Sequence, residues 1–152
     1  MIKKTMKSII LLIFSIHLSF AAELVRVELR DVHGLWGGHD IVIRKDNLLL
    51  ITVVTKTGKV EYHDGKINFS DFLLNLNPSV LIKYSEIIRP GLPDEARPVI
   101  KLYFDDGAMK EYSKWANENN KNFDQAYQSI LGLEKTPGLN ISTGKYEWKL
   151  RG

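Results

Sequence analysis

Two histidines and two aspartates crowd one glycine-rich stretch: Asp31, His33, His39 and Asp40 bracket Gly34-Leu-Trp-Gly-Gly38. Imidazole nitrogens and carboxylate oxygens are the ordinary ligands of zinc, and the same groups serve as general acid and base. The spacing fits no helical ligand pair, however, and turn geometry accounts for the glycines. No metal and no cofactor is therefore assigned. His33, His39 and Asp40 are the first suspects of an alternative, enzymatic reading in which a site is built from loops. His63, beside Asp64-Gly65, reads as a turn residue.

Other chemistries lack their parts. Gly34 to Gly38 has no Lys-Ser/Thr to reach phosphate and magnesium, and it leads into a strand rather than a helix N-terminus. No serine sits in a Gly-x-Ser-x-Gly setting, and no carboxylate pair is singled out by apolar surroundings as glycoside hydrolysis would need. The chain has no cysteine, which excludes thiol catalysis, disulfides and a lipid-modified cysteine. The expectation is a protein that is not an enzyme.

Two segments suit recognition instead. Leu35-Trp36 is an apolar pair at the tip of a turn made flexible by Gly34, Gly37 and Gly38; the alternative is that Trp36 folds back onto the core. Arg89-Pro-Gly-Leu-Pro-Asp-Glu-Ala-Arg-Pro98 is stiffened by three prolines and carries Arg89, Asp94, Glu95 and Arg97; the alternative is a rigid crossover with an internal Arg–carboxylate pair. A loop with little freedom to lose binds at a lower entropic cost. These six residues (Leu35, Trp36, Arg89, Asp94, Glu95 and Arg97) are the candidate binding set. Trp115 reads as an anchor of the last helix.

The elements that must carry them follow from periodicity. Val25, Val27 and Leu29 alternate with Arg26, Glu28 and Arg30, the pattern of a half-buried strand. Ile41 to Ile43 is a second strand, and Leu48 to Val54, apolar on both faces, reads as a central one. Val60 to Tyr62 is a fourth, flanked by turns at Thr57-Gly58 and Asp64-Gly65. Ser70 reads as the N-cap of a short helix through Phe72, Leu73 and Leu76, ended by Asn77-Pro78. Val80 to Ile88 reads as a strand, and a hairpin follows around Asp105-Asp-Gly107. Phe123, Ala126, Tyr127, Ile130 and Leu131 make one face of a closing helix capped by Asn122. The expected fold class is α+β, a mainly antiparallel β-sheet with two helices packed on one face. Residues 136–152, where Tyr146, Trp148 and Leu150 alternate with charges, read either as a late edge strand or as a tail.

The first residues carry an address. A basic head with Lys3, Lys4 and Lys7, an apolar run from Ile9 to Phe20 and the pair Ala21-Ala22 have the three parts of a cleaved signal peptide. The run is also too short for a bilayer core, which needs about 20 residues. Residues 1–21 are thus expected to be removed, residues 22–135 to form one domain, and the mature protein to be periplasmic or secreted and not membrane-anchored. The whole chain has 21 basic against 18 acidic residues, a formal charge of +3. The three leader lysines account for that excess, so the mature chain is balanced and gives no reason to expect nucleic acid as partner.

From Val25 to Leu133 the layout resembles the emfourin-like inhibitors of thermolysin-type metalloproteases. The shared features are Gly37-Gly38 after the first strand, a short helix, Pro93-Asp94 before a hairpin and a closing helix. Here Pro93-Asp94 is followed by Glu-Ala-Arg-Pro, and the segment between Arg44 and His63 is longer. The resemblance implies a small exported inhibitor fold. The leading expectation is an exported, non-enzymatic module that binds another protein, with an exported peptidase as the finer one. The alternatives are a small exported enzyme with a His/Asp site and an envelope structural protein.

Overall fold

The computed structural model describes residues 21–84 and 89–145. Apolar alternation in the first half becomes four consecutive strands: β1 (Leu24–His33), β2 (Gly37–Arg44), β3 (Leu48–Val54) and β4 (Lys59–Lys66). Two helical segments follow, α1 (Phe69–Leu76) and the single turn α2 (Pro78–Leu81). Then come β5 (Val99–Phe104), β6 (Met109–Ser113), α3 (Lys121–Leu131), a 3-10 turn over Gly132–Lys135, and β7 (Asn140–Lys145). The seven strands form one antiparallel sheet in the order β6-β5-β1-β2-β3-β4-β7. The fold is α+β, with its helices on one face of the sheet.

Register decides what that face contains. Val27 lies opposite Ile43 and Leu102, and Leu29 opposite Ile41 and Ile100. These residues, with Leu49 and Ile51, are buried against Phe69, Phe72 and Leu76 of α1, Leu81 of α2, and Phe123, Ala126 and Ile130 of α3. Each buried Val, Leu, Ile or Phe side chain contributes roughly 1.5–3 kcal/mol. This shared core therefore fixes the register of the central strands, since a one-residue slip would expose all of it. β3 is interior as its apolar run implies, but among the described residues helices cover only one of its faces. Leu50 points to the helix-free side and is 40 % exposed.

Several expected boundaries shift. The cap of α1 is Asn68, not Ser70: the Asn68 side chain accepts the Asp71 N–H at 3.1 Å. Asn120 rather than Asn122 caps α3, accepting the N–H groups of Asn122 and Phe123 at 3.1 Å each. Asp64-Gly65 is not a turn. Both residues lie inside β4, and a Cβ on Gly65 would stand 2.5 Å from the Leu139 side chain. That glycine serves close packing rather than chain reversal, and His63 is accordingly a strand residue.

Nor is Val80 to Ile88 a strand in its described part. Pro78 occupies the first helical turn, where its fixed φ is favourable. The chain then winds so that Leu81 and Tyr84 are buried, with the Tyr84 ring 5.5 Å from that of Phe123. Residues 85–88 lie outside the described residues, as do residues 1–20 of the expected leader and the alternating Tyr146, Trp148 and Leu150. At the C-terminal side an edge strand does form, β7 pairing with β4 from Asp64↔Asn140 to Lys59↔Lys145.

Candidate functional site

The first recognition candidate is built by strand pairing that runs almost to the hairpin tip. β1 and β2 stay in register to His33↔Gly37, and the Trp36 N–H donates to the His33 carbonyl at 3.2 Å. Only Gly34, Leu35 and Trp36 are left to turn the chain. Gly37 and Gly38 belong to β2 and have φ of 76° and 137°. A Cβ on Gly37 would stand 2.1 Å from the Val54 carbonyl oxygen, and one on Gly38 would stand 1.9 Å from that of Asp31. The glycine pair thus lets backbones of neighbouring strands approach and lends no flexibility to the tip. Leu35 and Trp36 project from it, 56 % and 55 % exposed. Trp36 does not fold back onto the core. Its ring instead carries the ammonium of Lys56, from the β3–β4 turn, 4.7 Å from the ring centroid.

The histidines and aspartates separate into pairs. Asp31 and His39 are cross-strand neighbours on the helix-covered face, but each takes a different partner. Tyr127 of α3 donates its hydroxyl to Asp31 Oδ2 at 2.6 Å, and His39 Nδ1 meets Glu134 Oε1 from the 3-10 turn. His33 Nδ1 accepts the Leu35 N–H at 3.3 Å and so belongs to the tip. Asp40, paired in register with Arg30, faces the helix-free side. Among the described residues no group of three or more His, Asp or Glu is placed to hold a metal ion.

Asp31 nonetheless sits between two clefts. One, of about 320 Å3, is lined by Arg30, His33, Glu95 and Arg97 as well as Asp31. The other, of about 260 Å3, is lined by Asp31, Lys114, Phe123, Asp124 and Tyr127. Burial raises the Asp31 carboxyl above its ordinary value, offset by the Tyr127 hydrogen bond. Burial and that same bond push the Tyr127 hydroxyl well up. Lys114, 7 % exposed, is neutralised by Asp124 at 2.8 Å and donates to the Glu118 carbonyl at 2.5 Å. Sequence reasoning passed over Tyr127, Lys114 and Glu134. Tyr127 carried a signal only as a core position of α3, and spacing along the chain cannot show a hydroxyl meeting a carboxylate 96 residues away.

The proline-stiffened loop is a clasp. Arg89 holds Glu95 with two parallel hydrogen bonds of 2.9 and 2.7 Å and reaches Glu118 with Nε at 3.0 Å. Glu95 also accepts the N–H groups of Leu92 and Asn117, and its side chain is only 1 % exposed. The Arg89 pairing and those two N–H groups lower its carboxyl pKa from 4.5 to about 2.

Beneath lies Trp115, which anchors this loop rather than the last helix. Its Nε1 donates to the Arg89 carbonyl at 3.2 Å, and the Arg97 guanidinium lies 5.0 Å from its ring. A Cβ on Gly91 would stand 2.4 Å from that ring. Arg89 and Glu95 are therefore turned on each other and on the body of the protein, while Asp94, at φ 58°, is exposed. Of the binding set, Arg89 and Glu95 thus form the internal Arg–carboxylate pair of the rigid-crossover alternative, because a buried carboxylate must be paired, whereas Arg97 is exposed as well. No family model, curated protein or solved structure matches this chain.

Proposed function

We propose that this protein is an exported, non-enzymatic binding module whose principal contact is the Leu35-Trp36 tip. The observation that carries the reading is the exposure of two large apolar side chains on a rigid β-hairpin. A tryptophan beside a leucine, ringed by polar groups, is the composition of a protein-interface anchor. The backbone beneath it is fixed by Gly37 and Gly38 in close approach to β3 and β1, so little order is gained on binding. The clasp holds the proline loop as a neighbouring wall, leaving Leu92, Asp94 and Arg97 as its exposed contributors. Export rests on the basic head, the apolar run and the small residues of the first 22 positions. The finer reading, inhibition of an exported peptidase, rests on the resemblance to the emfourin-like layout.

One observation favours the enzymatic alternative, namely Asp31 with a raised pKa between two clefts. Against it, Tyr127 and Asp31 satisfy each other, and so do Lys114 and Asp124, as structural groups do.

The test compares the mature protein with Leu35→Ser/Trp36→Ala. The pair of changes is expected to leave the melting temperature near wild type, because exposed positions usually shift stability by less than about 0.5 kcal/mol. It should abolish co-elution of the partner from cells exporting the protein, and relieve any inhibition of a thermolysin-type metallopeptidase. Unchanged co-elution would remove the tip from the interface.

A further inference from the structure

Antiparallel hairpins place the β1–β2 tip and the β3–β4 turn at the same end of the sheet, and β7 finishes there too. That end carries three lysines: Lys56 in the β3–β4 turn, Lys59 at the start of β4 and Lys145 at the end of β7. All three are exposed, and among the described residues none makes an ion pair. Lys59 and Lys145 are direct cross-strand neighbours, so their side chains leave the same face of the sheet. Like charges in that position destabilise a strand pair. Glu61, two positions along β4 on the same face, is turned to His63 at 3.3 Å.

The excess is local, since the chain after the leader carries as many acidic as basic residues. Among the described residues no carboxylate pairs with this cluster, and Lys56 joins it to the tip through its contact with Trp36. Beside it lies a groove of about 510 Å3 lined by Thr55, Lys59, Val60, Glu61, Thr143 and Lys145.

We infer that this end of the sheet docks an acidic segment of a protein partner, with carboxylates meeting Lys56, Lys59 and Lys145 while an apolar side chain meets Leu35 and Trp36. The inference rests on the tip being the contact and adds the partner's chemistry. Charge complementarity of this kind speeds encounter and selects partners, and it weakens as salt screens it.

The probe is a fluorescein-labelled peptide of Glu–Leu repeats, with the matching Lys–Leu peptide as control. The variant Lys56→Gln/Lys59→Gln/Lys145→Gln is compared with Lys66→Gln/Lys83→Gln/Lys121→Gln, which removes the same charge from exposed lysines elsewhere. The first should lose about tenfold or more in affinity for the acidic peptide, and the second should stay within about twofold. Wild-type binding should fall as salt rises, and the Lys–Leu peptide should not bind. The first variant should also melt at or above the wild-type temperature, because the Lys59–Lys145 repulsion is gone.

Equal losses in both variants would overturn the inference, and so would wild-type affinity in the first. Binding to phosphatidylglycerol vesicles without binding to the peptide would overturn it as well, pointing to a lipid surface. The reading of the tip fails separately. If Trp36→Ala leaves peptide affinity and partner co-elution unchanged while the lysine variant loses the peptide, the lysine surface stands and the tip falls.

Discussion

Glu95 shows at the residue scale how a charge that reads as a binding group can be structural. Its carboxylate is out of solvent and accepts hydrogen bonds from Arg89, Leu92 and Asn117. The folded-state pKa of about 2 lies below the ordinary value of 4.5. A depressed carboxylate pKa contributes stability that is fully present above the unfolded value and is lost as pH falls through the folded one. The wild-type protein should therefore lose this contribution between pH 4.5 and about 2. Glu95→Gln should melt lower than wild type at neutral pH, with the two melting temperatures converging as pH approaches about 2. Parallel curves over that range would mean the pair contributes nothing through ionisation. Arg89→Lys should reproduce part of the loss, since an ammonium cannot form the two parallel bonds of a guanidinium.

Among the elements, the β1–β2 hairpin depends most on a particular residue type. Gly37 has a positive φ and almost touches the Val54 carbonyl. Gly37→Ala would force an L side chain into a disfavoured conformation and against backbone, which cannot swing aside. Strain of this kind costs of order 1–3 kcal/mol, and the clash adds to it. The variant should lower the denaturant midpoint measurably. Gly34→Ala, with nothing within 4 Å of its added Cβ, should be close to neutral. The contrast separates a glycine that the sheet requires from one that merely occupies a turn.

The closing helix makes the complementary case. Phe123 is fully buried, with its ring against Tyr84. Phe123→Ala should cost about 3–5 kcal/mol, read as a large drop in the urea midpoint. A midpoint near wild type would make α3 peripheral to the core.

For the whole molecule, an antiparallel sheet with helices on one face leaves, among the described residues, a second face that no helix covers. That face carries an ionic network, with Glu28 held by Arg26 at 3.0 Å and by the Tyr103 hydroxyl at 3.0 Å, beside exposed Leu50 and Tyr62. Both the tip and the three lysines sit at one end of this sheet, so the contacts proposed above belong to an end of the molecule rather than to a face. Export belongs to the same scale. The mature protein should begin at Ala22 or Glu23, and N-terminal sequencing of protein recovered outside the cytoplasm should return one of them. Recovery of Met1 would contradict a cleaved leader.

Alternation of Val25, Val27 and Leu29 against charges, and the i, i+3, i+4 stripe of Phe123, Ala126 and Ile130, were enough for the sequence to determine an α+β chain with helices on one face of a sheet. Such periodicities report which side of an element is buried, and the burial of apolar surface is what chiefly drives folding. Local signals failed where a distant contact outweighed them. Asp64-Gly65 has ideal turn chemistry but is drawn into β4 by pairing with β3 and β7 and by Leu139. Val80 and Leu81 have strand-like residues but are wound by Pro78 and by burial of Leu81 and Tyr84. At the candidate site the sequence marked Leu35 and Trp36, because an apolar pair among glycines is conspicuous in one dimension. Only the tertiary structure could decide that Arg89 closes on Glu95 and Glu118, that Tyr127 meets Asp31, and that Lys56, Lys59 and Lys145 share one end. The lysine cluster is set by strand order and register, and the other contacts by how a loop and a helix pack on the rest of the fold, none of which spacing along the chain encodes.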